Sequence, residues 1–165
     1  MPTALLAELD AAVERLLAAA AENPSADAPV TDSWSVRDVV AHVTFWHESF
    51  ARNVNDLVHG RRPTPLRGRL TGLNERGVAE AMTPPLEAIV DCFRAAQATI
   101  HASIMSPALG LIPYRVGSRP YAPDEHPESA RDHIRAHARG LELAARPGRP
   151  RATRSLASTN RAGSE

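Results

Sequence analysis

The stretch from Trp34 to Gly60 constrains this chain more than any other. Ser35 followed by Asp38 resembles a capping box, with Asp in place of the usual Glu, and Trp34 sits just outside it. Val36, Val39, Val43, Trp46, Phe50, Val54 and Leu57 then fall on one stripe at helical spacing, and Gly60 ends the run. A helix this strongly one-sided must bury its stripe against other elements. Three further segments offer the matching surface. Residues 4–22 repeat Leu5, Leu9, Val13 and Leu16 with alanine filling the remainder, and Thr3 is the expected N-cap. Leu86, Ile89, Val90, Phe93, Ala96, Ile100 and Ile104 mark another long helix, preceded by Thr83-Pro84-Pro85 as a cap followed by proline at the first helical position. A last helix is expected from Pro127 to about Ala145, stopped by Arg146-Pro147.

Between these lie a loop from Asn23 to Asp32, a basic proline-containing loop over 61–69, and a short helical stretch around Leu70–Met82. The segment from Ser106 to His126 is rich in proline and holds both tyrosines, Tyr114 and Tyr121. It is too long for a simple bundle turn, so it is either a functional lid or a loop packing its aromatics over the bundle end. Four long helices without a convincing strand pattern predict an all-α fold, a four-helix bundle over residues 1–145. The last twenty residues carry Arg146, Arg149, Arg151, Arg154 and Arg161 among Pro, Ser, Thr and Gly, and 146–165 therefore reads as a disordered arginine-rich tail.

Composition removes several kinds of chemistry. All nineteen basic side chains are arginine, so neither Schiff-base catalysis nor a lysine-containing phosphate loop is open to the chain. Cys92 is the single cysteine and supplies no paired metal thiolates. The formal net charge is zero, and residues 1–145 hold 14 arginines against 18 acidic residues, a net of −4, which weighs against nucleic acid as a partner. No apolar run approaches the ~18 residues of a membrane span, and the N-terminus lacks a secretion signal's layout. No membrane association and a cytoplasmic location are expected.

Among the seven histidines, His133 and His137 form an HxxxH pair one helical turn apart, so that both rings can converge on one ion. On a helical wheel they share a face with Ala130, Gly140, Leu141 and Ala144, while Arg131, Arg135, Arg139, Glu128 and Glu142 lie opposite. The pair therefore points inward among small neighbours, where imidazoles are costly unless hydrogen-bonded or ligated. The competing readings are a hydrogen-bonded core pair, or a face less buried than the wheel implies. A metal needs a third ligand, and the second helix offers His42 and His47, which flank the stripe on opposite sides; periodicity does not choose between them. His59, His101 and His126, at a helix end, among small polar residues and in the long loop, read as surface histidines.

Trp34-Ser35-Val36-Arg37-Asp38-Val39-Val40-Ala41-His42 resembles the opening of the second helix in the DinB-like superfamily. That group includes the mycothiol-dependent maleylpyruvate isomerases and the ClbS/DfsB type linked to colibactin self-protection. Leu73-Asn74, Pro85 to Val90 and Phe93 to Ala96 are similar to the middle of ClbS/DfsB-like members, and Asp132 to His137 to the HxxxH of metal-binding ones. The resemblance covers roughly residues 1–145 and implies a DinB/YfiT-like four-helix bundle. It also implies His42, His133 and His137 as metal ligands, which selects His42 over His47. Zinc or nickel suits three imidazoles best. The chain differs from ClbS-type members in its proline-rich 106–126 loop and its C-terminal end.

Three neutral imidazoles leave a coordination position open, as in a catalytic metal site. The expected function is therefore that of a metal-binding enzyme acting on a small molecule. The reaction is either thiol-dependent transfer or isomerisation, with a low-molecular-weight thiol as cosubstrate, or hydrolytic detoxification of a reactive compound. The alternative is a non-catalytic bundle that sequesters a small molecule, or a homodimer whose metal is vestigial. Trp46, His47, Tyr114, Arg115 and Tyr121 are the candidate substrate contacts, and Asp132 and Glu48 the carboxylates considered as general base.

Overall fold

The computed structural model describes residues 3–146. It contains five helices: α1 (Thr3–Ala21), α2 (Val36–Val58), α3 (Leu70–Glu80), α4 (Leu86–Ser103) and α5 (Glu125–Ala145). Among the described residues there is no strand, only isolated bridges. The expected all-α bundle is what the chain forms. The arginine-rich tail lies, from residue 147 onward, outside the described residues.

The start of α2 follows from the sequence. Ser35 accepts a hydrogen bond from the Asp38 amide while the Asp38 carboxylate accepts from the Ser35 amide, so two otherwise orphaned donors are satisfied. At the other end Gly60 takes φ +67°, the left-handed conformation that terminates helices cheaply only in glycine. Two other boundaries fall elsewhere than expected. Thr3 is the first helical residue of α1 rather than the residue before it. Pro85, not Thr83, is the N-cap of α4, which begins at Leu86 and has no side-chain cap.

α5 starts at Glu125, two residues before Pro127. Proline is tolerated there because first-turn N–H groups have no helical acceptor, and Glu125 and Glu128 favour the positive end of the helix dipole. His126 therefore belongs to α5 and not to the loop.

α1 packs mainly on α5 and α2 mainly on α4. Leu9, Val13 and Leu16 of α1, Val36, Val39 and Val40 of α2, Phe93 and Ile100 of α4, and Ile134 and Leu141 of α5 are fully buried. Each stabilises the bundle by about 1.5–3 kcal/mol through apolar burial. The long loop is well anchored. Ile112 and Tyr121 exchange backbone hydrogen bonds of 2.8 and 2.9 Å, Val116 donates to Leu66, and Asn53 Nδ2 donates to the Pro113 carbonyl at 3.0 Å.

α3 packs against α2 through Leu73 and Asn74 at Trp46 and through a close approach at Gly77. A Cβ at Gly77 would stand 2.7 Å from Phe45 Cγ and 2.9 Å from its Cβ, atoms too near the backbone to swing away. Gly77→Ala is therefore expected to lower stability by about 1–2 kcal/mol, although alanine is the better helix former by about 1 kcal/mol. Urea denaturation checks it; a variant at or above the parent's midpoint would show that α3 is not held this tightly.

Candidate metal centre and its cavity

His42, on α2, and His133 and His137, on α5, meet where the two helices face each other. The Nε2 atoms of His42 and His137 each lie 3.1 Å from Nε2 of His133, and the three ligand atoms all fall within 4.8 Å of one another. Trp34, just ahead of α2, packs against the cluster, 4.7 Å from the His42 ring and 6.0 Å from that of His137. His42 is buried and the other two are half-buried. The deep face of α5 is carried by Ile134, Ala138 and Leu141, so the histidine pair sits at the edge of that face rather than at its centre. That edge is turned toward α2.

Three imidazole nitrogens this close cannot all be satisfied by one another. The single Nε2 of His133 faces two others, and an in-plane nitrogen accepts or donates one good hydrogen bond. His42 Nδ1 is also buried without a partner. Protonation does not relieve the crowding. Burial, then repulsion from His133 and His137, pulls the His42 pKa down to about 3; burial and His137 hold His133 at about 4; burial also lowers His137. Three lone pairs converging on one cation would resolve it. At a zinc–nitrogen distance of about 2.0–2.1 Å in tetrahedral geometry, ligand nitrogens stand roughly 3.3 Å apart. The observed 3.1 Å separations fit that spacing.

His47, the other candidate on α2, is turned away toward α4. Its Nε2 lies 2.7 Å from Gln97 Oε1, and Gln97 Nε2 in turn donates to Asp10 at 2.5 Å. Since the amide oxygen is the acceptor, His47 must carry its proton on Nε2. The two histidines flank the stripe on opposite sides because α2 is covered on both, by α5 beside His42 and α4 beside His47.

A cavity of about 290 Å³ adjoins the cluster, with His42 and His133 in its wall. Of the expected substrate contacts, Trp46, His47 and Tyr114 line it. Tyr114 stacks on Trp46 with ring centroids 5.1 Å apart, so the long loop does pack aromatics over this end of the bundle. Tyr121 and Arg115 do not reach the cavity. Tyr121 stacks behind His126, and Arg115 donates to the Gly68 carbonyl at 3.0 Å because the loop is pinned to the 61–69 segment there. Neither carboxylate serves the site. Asp132 is exposed and paired with Arg131, and Glu48 lies beside Cys92 in a different groove.

Three polar lining residues were not anticipated: His126, Asn74 and Ser129. His126 is only 6% exposed, not a surface histidine, and is stacked between Phe50 and Tyr121. The acidic pair Asp124-Glu125 was the available signal that α5 begins early enough to include it. His59 and His101 are exposed, as expected.

The class this fold and site define is an all-helical bundle whose histidine cluster, able to hold a metal ion, adjoins a cavity. The family described as the mycothiol maleylpyruvate isomerase N-terminal domain matches residues 6–107, and the chain belongs to that family. The match ends before α5, so it includes His42 but not His133 or His137. Two crystal structures share the fold at a TM-score of 0.69: mycothiol-dependent maleylpyruvate isomerase, 14% identical, and a histidine-to-alanine mutant of it, 13% identical. Each superposes on 86% of this chain, which spans only 61% of theirs. No curated protein sequence matches the chain. No helix among the described residues is long and apolar enough to cross a membrane.

Proposed function

We propose that the chain is a metal-dependent enzyme that activates a low-molecular-weight thiol for transfer to, or isomerisation of, a small electrophile. The observation that carries this reading is the convergence of three neutral Nε2 atoms beside a cavity large enough for a small organic molecule. His42, His133 and His137 would hold the ion, which supplies the Lewis acidity that draws a thiol's pKa down toward neutrality. The protein's own part is to keep all three imidazoles unprotonated, by burial, at any pH near 7. Trp34 closes one side of the cluster, and Trp46 with Tyr114 forms a flat apolar wall for the electrophile. The family's name specifies mycothiol, which favours thiol chemistry over hydrolysis. Such a reaction suits a reducing cytoplasm.

Cobalt(II) substitution tests this reading. Adding 2-mercaptoethanol to the cobalt-loaded chain is expected to raise a sulfur-to-cobalt charge-transfer band in the near ultraviolet, absent from His133→Ala. A cobalt spectrum indifferent to thiol would overturn the thiol-dependent reading and leave hydrolysis in its place.

A further inference from the structure

A second cavity, of about 190 Å³, opens between α2, α3 and α4 and shares no lining residue with the one beside the histidines. Ala41, Phe45, Ala81, Ala88 and Ile89 make its walls largely apolar. A space of about 150 Å³ is enough to hold benzene, so this groove suits one small organic molecule.

Its polar groups come together on α2. Thr44 and Glu48 both line the groove one helical turn apart, a spacing that puts their side chains on one face, about 5–6 Å from each other. Thr44 is only 4% exposed, and its Oγ1 is buried without a hydrogen-bond partner. Glu48 is exposed at the rim and makes no ion pair among the described residues. Partial burial lifts its pKa, opposed by the charge of Arg52 and by the Cys92 thiol of α4, which donates to it. The arginines beside the groove are engaged elsewhere: Arg52 donates to Ser49 Oγ at 3.3 Å, and Arg76 lies 3.4 Å from Glu80. No positive side chain lines the groove itself.

We propose that this groove binds a primary ammonium compound with a short apolar body, the ammonium donating to the Glu48 carboxylate and Thr44 Oγ1 while the body rests among Ala41, Ala88 and Ile89. An ammonium carries three donors and no acceptor, so it can serve both oxygens at once. A guanidinium pairs best with the two oxygens of a single carboxylate and would leave Thr44 unsatisfied. The chain contains no lysine, so no side chain of a second copy can supply the ammonium. The ligand is therefore a separate small molecule, and its site is independent of the metal-dependent reading above.

Benzylamine and benzyl alcohol differ in charge but hardly in shape. In full-length protein at pH 7.5, benzylamine is expected to shift the Gly77 and Ala81 amide resonances saturably, and to bind at least about fivefold more tightly than benzyl alcohol. Glu48→Gln should weaken benzylamine about tenfold, the loss of a hydrogen bond to a charged group, and bring it level with the alcohol. Thr44→Val, which keeps the shape and removes the hydroxyl, should cost about threefold. Glu80→Gln, at a carboxylate already held by Arg76, should leave the affinity within about twofold. Alcohol binding as tightly as amine overturns the proposal, as do unshifted Gly77 and Ala81 amides or unchanged affinity in Glu48→Gln or Thr44→Val. Benzylguanidine binding more tightly than benzylamine overturns the ammonium assignment. Should Thr44→Val fail to fold, the amine-to-alcohol ratio of the parent and its loss in Glu48→Gln, a change at an exposed position, decide.

Discussion

Replacing His133 by alanine is expected to weaken zinc binding by a hundredfold or more, with the helical circular dichroism unchanged. The ring occupies the middle of the cluster, 3.1 Å from each neighbour, so its loss leaves two nitrogens from different helices. Even residues that only support a ligand are typically worth about 10–100-fold in affinity, and a ligand itself should exceed that. Alanine suits an α5 position that is half-buried rather than deep in the core, so the fold should survive. His47→Gln is the informative contrast. His47 borders the same cavity but is hydrogen-bonded to Gln97, and its replacement should leave zinc affinity within about threefold. Competition against a chromogenic chelator measures both. Equal zinc affinity in His133→Ala and the parent would remove the metal centre from the account.

Between pH 7.5 and pH 5 the metal-free protein is expected to lose on the order of 4 kcal/mol of stability through His47 and His126 alone. Burial, opposed by the hydrogen bond to Gln97, pulls the His47 pKa down to about 4; burial and repulsion from His47 pull His126 to about 3. Both titrate near 6.5 when the chain unfolds. At pH 5 the unfolded chain therefore holds two protons that the folded chain refuses, and stability falls as pH falls. Each group contributes about 2 kcal/mol at that pH, since pH 5 lies roughly 1.5 below the unfolded value and 1.36 kcal/mol corresponds to one pH unit. The loss is absent above about pH 6.5, grows as pH falls below that value, and levels off at the folded pKa values of about 4 and 3. His42 and His133 act in the same direction while no ion holds them. Urea denaturation at the two pH values provides the measurement, and His126→Phe should remove about half of this loss. A parent whose stability differs by less than about 1 kcal/mol between them would mean that these rings are hydrated in the folded state.

The helices were legible because their signals are local. The Ser35–Asp38 box, the period of the α2 stripe and the glycine at 60 are all read within a few residues, and each depends on backbone geometry that any helix shares. The HxxxH spacing belongs to the same class, since one turn of α5 places His133 and His137 together whatever surrounds them. The choice of third histidine does not. His42 and His47 both flank a stripe that is covered on both sides, so their burial is alike, 4% and 3% exposed. Only which helix lies on which side distinguishes a place in the histidine cluster from that of a hydrogen-bonded core histidine. Resemblance pointed to His42 without supplying that reason. The loop residues were less legible still. Tyr114 reaches the cavity and Tyr121 does not, because the bridge between Ile112 and Tyr121 and the contact of 115 with Leu66 set their direction.

The sequence by itself thus determined the all-helical fold, the pairing of His133 with His137 and the absence of lysine chemistry, all properties of neighbouring residues or of composition. Tertiary structure supplied the reason that His42 joins that pair, and it alone decided that His126 is buried in the first turn of α5 and that a cavity opens beside them. Side-chain convergence across helices depends on how α2 is sandwiched between α4 and α5, which helical periodicity within any one segment does not encode.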